Sequence, residues 1–398
     1  MTRLRYSIPA LLMMLAATWA APAPAADRLD PTLTLVLGGG LSAGFSGFHL
    51  TEAAQNQAWP VLVAQQMGTY ISVPAMRESG QVGVVNSYRP LSGLLPQVAQ
   101  SGERALPFPF FSMNLSVPFL RLGDALRFRP QPQYDGINLI TAIEGNLLQT
   151  LANAILGGPL LVIQPPVLLT QAEYAEDLNP TLVFIQLGFE DVADAAIYND
   201  AARITGTNSF ASDYTQLLTR MLNTDATVVV MTVPDPTETA YFASIDEVAI
   251  QYGLSSADLR TRFGLAAGDM LTLGGMVEIG DALRGRRGNV LSQGSVLSAA
   301  TAASVRTAVS GYNAAIRNAV QGKNVQIFDL ADFMHQVKIA GARSGSVSVT
   351  GAYGGGFYSE DGIYPSSTGQ ALLANAVLQF LNSTYGSDFA PATVEVAP

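Results

Sequence analysis

Short apolar runs alternate along this chain with longer stretches of helical period. Residues 33–37 (Leu-Thr-Leu-Val-Leu) run into Gly38-Gly39-Gly40, and residues 181–185 (Thr-Leu-Val-Phe-Ile) end near Gly188. A third run, 227–231, ends in Val233-Pro234-Asp235, and a fourth covers 325–328. Runs that stay apolar without alternating read as strands buried on both faces, the signature of a parallel sheet covered on both sides. Between them, residues 210–222 set Tyr214, Leu217, Leu218 and Met221 at helical spacing, and 302–320 predicts another long helix. Strand then helix, repeated, predicts an α/β domain whose ligand site lies beyond the carboxyl ends of its strands.

Two stretches break the rhythm. Residues 69–132 hold eight of the 22 prolines and the rings Phe108, Phe110, Phe111 and Phe119. They read as an ordered insertion covering one edge of the site, although rings of this kind often serve the core alone. Residues 235–298 mix helical pieces, such as 244–252, with glycine turns and read as a second excursion from the same end of the sheet. No repeat and no independent domain boundary is evident, so residues 27–398 are expected to form one domain with these two insertions.

The first 26 residues form a different pattern. Arg3 and Arg5 precede an apolar run over 8–20, and Ala-Pro-Ala-Pro-Ala-Ala ends at Ala26. This is the layout of a cleavable secretory signal, and the run is shorter than the ~20 residues a bilayer needs. The mature chain is expected to be secreted or periplasmic, with no transmembrane segment.

Composition narrows the chemistry. Lys+Arg 21 against Asp+Glu 31 gives a formal net charge of -10, with no basic cluster to neutralise a row of phosphates, so a nucleic-acid partner is not expected. With Cys 0 and His 2, thiolate nucleophiles and cysteine zinc sites are excluded and imidazole is scarce. No cofactor or metal is expected; the chemistry must run on oxygen side chains.

Three loops carry the candidate chemistry. Leu37-Gly38-Gly39-Gly40-Leu41-Ser42 follows the first strand, Leu187-Gly188-Phe189-Glu190-Asp191 the second, and Ser359-Glu360-Asp361-Gly362-Ile363-Tyr364-Pro365 precedes a C-terminal helix starting near Ser366. In this order they resemble blocks one, three and five of the SGNH, or GDSL, serine esterases and lipases. Trp59-Pro60, Val233-Pro234-Asp235, Tyr312-Asn313-Ala314-Ala315-Ile316 and Leu372-Leu373-Ala374-Asn375 extend the resemblance to a secreted bacterial branch. The resemblance implies a flavodoxin-like three-layer sandwich with its site at the strand ends.

The family's working residues do not follow. Its first block carries the nucleophilic serine, and the matching position here is Gly40. Its third block reads Gly-x-Asn-Asp, whose asparagine serves the oxyanion; here Glu190 would bring negative charge to that place. Its fifth block, Asp-x-x-His, supplies the orienting carboxylate and the base; Asp361 remains and Tyr364 replaces histidine, a poor base because phenol titrates near ~10. The second block, resembling Asn-Leu-x-x-Pro-Gly-Ala, is sought near 136–146, where Asn138-Leu139 lacks the proline and glycine.

Three readings follow. The first is a pseudoenzyme that keeps a pocket for an apolar, acyl or glycan ligand, with Gly40, Ser42, Glu190, Asp191, Asp361 and Tyr364 as candidate contacts. The second is an active esterase with a relocated nucleophile, Ser42 served by His49 or His335, or with chemistry rebuilt on Glu190, Asp191 and Asp361; against it, Ser42 suits a helix start, Asp191 a cap and Asp361 a turn. The third is a structural or assembly protein. Oligomeric state is not legible.

Overall fold

The computed structural model describes residues 29–76, 112–131, 133–135, 138–140, 146–157 and 168–396. The signal-like N-terminus and Phe108, Phe110 and Phe111 lie outside the described residues. Strands β1 (Thr34–Gly38), β2 (Leu182–Gln186), β3 (Thr227–Met231) and β4 (Val325–Phe328) form one parallel sheet in that spatial order. Val36 lies opposite Phe184, and Phe184 opposite Val229. Every residue of β1 and β2 is buried, as unbroken apolar runs demand, and a sheet buried on both faces needs cover on both.

Helices supply that cover. The short α1 (Gly40–Ala43) leaves β1 directly, followed by α2 (Trp59–Gln66); α3 (Glu190–Tyr198) leaves β2, followed by α4 (Thr207–Leu222); α5 (Ala299–Val320) and α6 (Ser367–Tyr385) come later. Helix α2 packs on α6, and α5 packs on both α3 and α4. The period read in the sequence is realised in α4, where Phe210, Tyr214, Leu217, Leu218 and Met221 are the buried positions. The Trp59 ring stands edge-on to Phe184, with centroids 5.4 Å apart, and so joins α2 to the middle of β2.

Part of the proline-rich stretch joins the sheet; most of the rest, residues 77–111, lies outside the described residues. Residues 113–117 run parallel to β1 as an extra edge segment: Val36 N–H donates to Met113 O at 3.1 Å, Leu115 N–H to Val36 O at 3.0 Å, and Val117 N–H to Gly38 O at 3.0 Å. Gln171 stitches the seam, its Nε2 donating to Gly38 O at 3.0 Å and Leu115 O at 2.7 Å. The apolar pattern hides this segment because Asn114 and Ser116 are buried on hydrogen bonding and close approach, so no continuous apolar run marks it.

The second excursion carries a small antiparallel sheet of Phe242–Ser244, Met270–Thr272 and Val296–Leu297. Around it, Val248, Leu259, Leu271 and Ile279 form a separate apolar cluster. Sequence periodicity did not separate this core from the main one. Among the described residues, no helix is long and apolar enough to cross a membrane.

One side chain pins the loop after β3 to α5. Buried Asn313 accepts from Val233 N–H at 2.7 Å and donates to Val233 O at 2.9 Å, mimicking a strand partner just where β3 has ended. Asn313→Ala would strand both backbone groups, and we expect a loss of about 2–3 kcal/mol in urea unfolding. An unchanged midpoint would mean that water replaces the amide.

Candidate functional site

The loops that leave β1 and β2 meet over one hydrogen bond. Gly40 N–H, at the first residue of α1, donates to Glu190 Oε1 at 2.7 Å, and Glu190 is the first residue of α3. The turn must be glycine-rich for this approach. A Cβ at Gly39 would overlap both carboxyl oxygens of Glu190, and a Cβ at Gly40 would fall 2.6 Å from Tyr364 Cζ and 2.8 Å from its Oη. The position where the resembled family carries its nucleophile therefore has no room for a side chain.

Tyr364 is held there from its own backbone. Asp361 Oδ1 accepts from Ile363 N–H and Tyr364 N–H, each at 2.8 Å, fixing the turn. Phe45 stands edge-on to the Tyr364 ring at 5.3 Å, Phe119 edge-on to Phe45 at 5.3 Å, and Phe189 flanks Tyr364 at 6.2 Å. Tyr364 thus fills the space above Gly40 as one of four clustered rings, and Phe119 joins them from a left-handed backbone with φ of 68°.

Burial sets the electrostatics. Glu190 is 4% exposed, and its Oε2 finds no partner among the described residues. Desolvation pushes its carboxyl up to about 8, outweighing the lowering effect of the Gly40 N–H, with Asp191 and Asp194 pushing further upward. At neutral pH the group is therefore mostly protonated, which corrects the negative charge expected from the residue type. Burial also raises Asp191 to about 6, and raises Asp361 despite its bonds to Tyr364, Ile363, Ser359 and Phe48.

The three acids do not assemble into one reactive group. Asp191 turns away to accept from Leu122 N–H at 2.9 Å, so it anchors the segment after 113–117 and does not cap its own helix. Glu190 serves Gly40, and Asp361 serves its own turn, as expected for that residue. No group of three or more His, Asp or Glu suited to a metal occurs among the described residues.

Ser42 lies on the far side of the turn. It is fully buried, donates from Oγ to Gln186 Oε1 at 2.9 Å and accepts from Trp59 Nε1 at 3.1 Å. Its hydroxyl joins α1 to β2 and α2, and neither partner is a base. His49 is half-buried in the tight Ser46–His49 turn, and His335 pairs with Glu238 Oε1 at 2.9 Å from the exposed face of a helix.

A cavity of about 660 Å³ opens beside this filled centre, behind the Asp361 turn. Its walls are the loop after α1, with Ser46, Thr51 and Gln57, and the stretch carrying Tyr353, Ser359 and Glu360. None of the six candidate contacts read from the sequence lines it. The sequence signal for it was the run Gly351-Ala352-Tyr353-Gly354-Gly355-Gly356, whose small residues leave space around one ring. Against known proteins, the chain matches no family model and no curated protein.

The buried acids imply a direction of pH dependence. Folded Glu190 titrates near 8 and the unfolded side chain near ~4.5, so between these values the unfolded state binds fewer protons. Its contribution is full below ~4.5 and is lost as pH rises toward 8, by up to about 4 kcal/mol. Glu190→Gln should flatten this slope in urea unfolding at pH 5, 6.5 and 8, gaining on the native protein as pH rises. Parallel slopes would show that Glu190 is ionised throughout.

Proposed function

We propose that this chain is an exported protein of SGNH/GDSL type that has lost ester hydrolysis and keeps a ligand-binding role. Topology supports the fold half of this reading. Counting residues 113–117 as the second strand in chain order gives a sheet order of 2-1-3-4-5, the flavodoxin-like arrangement, with its switch point at β1 where the Gly38–Gly40 turn emerges. The same segment fits the second block. Asn114-Leu115-Ser116-Val117-Pro118 matches Asn-Leu-x-x-Pro in full, and Phe119, with its positive φ, stands where that block has glycine. This supports moving the block from 136–146 to 114–119.

The observation that carries the functional half is the bond from Gly40 N–H to Glu190 Oε1. In the resembled enzymes the asparagine that matches position 190 would serve the developing oxyanion. Here the carboxyl of Glu190 occupies that place itself, while Tyr364 takes the volume of the nucleophile. Losing the nucleophile alone costs roughly a million-fold in a serine hydrolase, and the base position has gone as well. The Ser42 alternative lacks support because the hydroxyl proton is committed to Gln186. The rings over Gly40 move any ligand away from the old centre, toward the neighbouring cavity.

The purified protein should show no hydrolysis of short-chain p-nitrophenyl esters and no labelling by a fluorophosphonate. Stoichiometric labelling would overturn the proposal, and a label at Ser42 that vanishes in Ser42→Ala would establish the relocated nucleophile. Gly40→Ser alone should stay inactive and lose stability, because the new Cβ collides with Tyr364. Weak turnover is expected only in the combination Gly40→Ser, Glu190→Asn and Tyr364→His, which restores nucleophile, oxyanion donor and base and replaces the obstructing phenol.

A further inference from the structure

We infer that the cavity behind the Asp361 turn binds a neutral, polyhydroxylated ligand, a glycan, with one sugar ring laid on Tyr353; this rests on the binding role proposed above and names its ligand class. The cavity's volume, about 660 Å³, falls within the ~300–1,000 Å³ of small-ligand sites. Among the described residues its lining contains no Lys, Arg or His, and its one charged side chain is the exposed Glu360. A phosphate or fatty-acid head group would meet an acid and no counter-charge. Among the described residues the aliphatic side chains on its walls are those of Ala53, Ala54 and Pro365, too short to form the continuous apolar track that an acyl chain needs.

What remains suits a sugar. The Tyr353 ring is 49% exposed at the cavity wall, and its hydroxyl donates to Glu360 O at 3.3 Å, which steadies an otherwise open ring. A sugar has one CH-rich face that packs on such a ring and a rim of hydroxyls that need both donors and acceptors. Gln57 offers both through its exposed amide, the Glu360 carboxyl accepts, and the Thr51 hydroxyl, which accepts from Ala54 N–H at 3.2 Å, still has a proton to donate.

The walls are also preorganised. Gly47 N–H donates to Ser359 Oγ at 3.0 Å and Phe48 N–H to Asp361 Oδ2 at 3.4 Å, so the two sides of the cavity are bonded to each other. Phe48 is held at φ of 68°, a conformation unfavourable for a bulky side chain that persists only where surroundings impose it. A cavity already fixed in shape loses less freedom on binding.

The test is saturation-transfer NMR and titration of the purified protein with neutral tetrasaccharides of gluco, manno, galacto and N-acetylglucosamine type. At least one should bind. Tyr353→Ala should weaken it about tenfold or more, Tyr353→Trp should retain it, and Glu360→Gln should weaken it severalfold. Ile250→Ser, at an exposed position of the helix Ile245–Tyr252 in the second excursion, should leave it unchanged. No binding of any tetrasaccharide at about 10 mM, or binding indifferent to both Tyr353→Ala and Glu360→Gln, would overturn the assignment. Octanoate that binds in their place and is lost in Tyr353→Ala would overturn it in favour of an acyl ligand. Fluorophosphonate labelling with tetrasaccharide binding intact would sink the non-catalytic reading alone; an unlabelled protein that binds no tetrasaccharide would sink the glycan alone.

Discussion

The bond from Gly40 N–H to the Glu190 carboxyl fastens together the ends of β1 and β2. It requires Gly39, whose Cα lies against the carboxyl, and it requires burial, because an exposed glutamate would be hydrated. The net worth of such a bond is about 1 kcal/mol, less than the cost of hiding the second oxygen without a partner. Stability alone is a poor reason to keep it. What it does provide is geometry: with the amide of Gly40 engaged, α1 and α3 start at a fixed separation, and the Tyr364 ring closes over the gap between them.

From that bond the rest of the region follows outward. Tyr364 needs a turn that delivers its ring over Gly40, and Asp361 shapes the turn with two backbone N–H groups. The other Asp361 oxygen reaches Phe48, and neighbouring Ser359 reaches Gly47, so the turn that plugs one space forms a wall of the next. The carboxylate at the position where the resembled enzymes orient a histidine here holds the backbone of Ile363, Tyr364 and Phe48 and the Ser359 side chain. Asp191 likewise spends its carboxyl on Leu122 N–H, tying the edge segment to α3. Each acid read as candidate chemistry is used to hold a different strand end or loop in place.

Much of the architecture was legible because its signals are local. β3 and β4 appear at the expected residues, and β1 and β2 within one residue of them. Helix α4 begins three residues before its apolar period, at Thr207, because polar residues in a first turn leave no periodic mark. The edge segment at 113–117 leaves no such signal, because a strand on the margin of a sheet, with Asn114 and Ser116 in it, has no continuous apolar run. The stretch around it, rich in proline, therefore reads as irregular although Asn114-Leu115 lies beside β1.

By itself, the order of residues determined the alternation of strand and helix, the buried parallel sheet, the loops at its carboxyl ends, and a glycine at position 40 and a tyrosine at position 364. These depend on neighbours within a few residues, where period and residue type suffice. Tertiary structure alone decided the state and purpose of the side chains that remain. The charge of Glu190 depends on how completely residues far away in the chain exclude water, and Ser42 becomes structural because Gln186 and Trp59 arrive from two other elements. The cavity beside Tyr353 exists only where the loop after α1 faces the turn before α6, an enclosure made by residues some three hundred positions apart (Gly47 to Ser359). Burial and enclosure are properties of the assembled chain, and no window of sequence contains them.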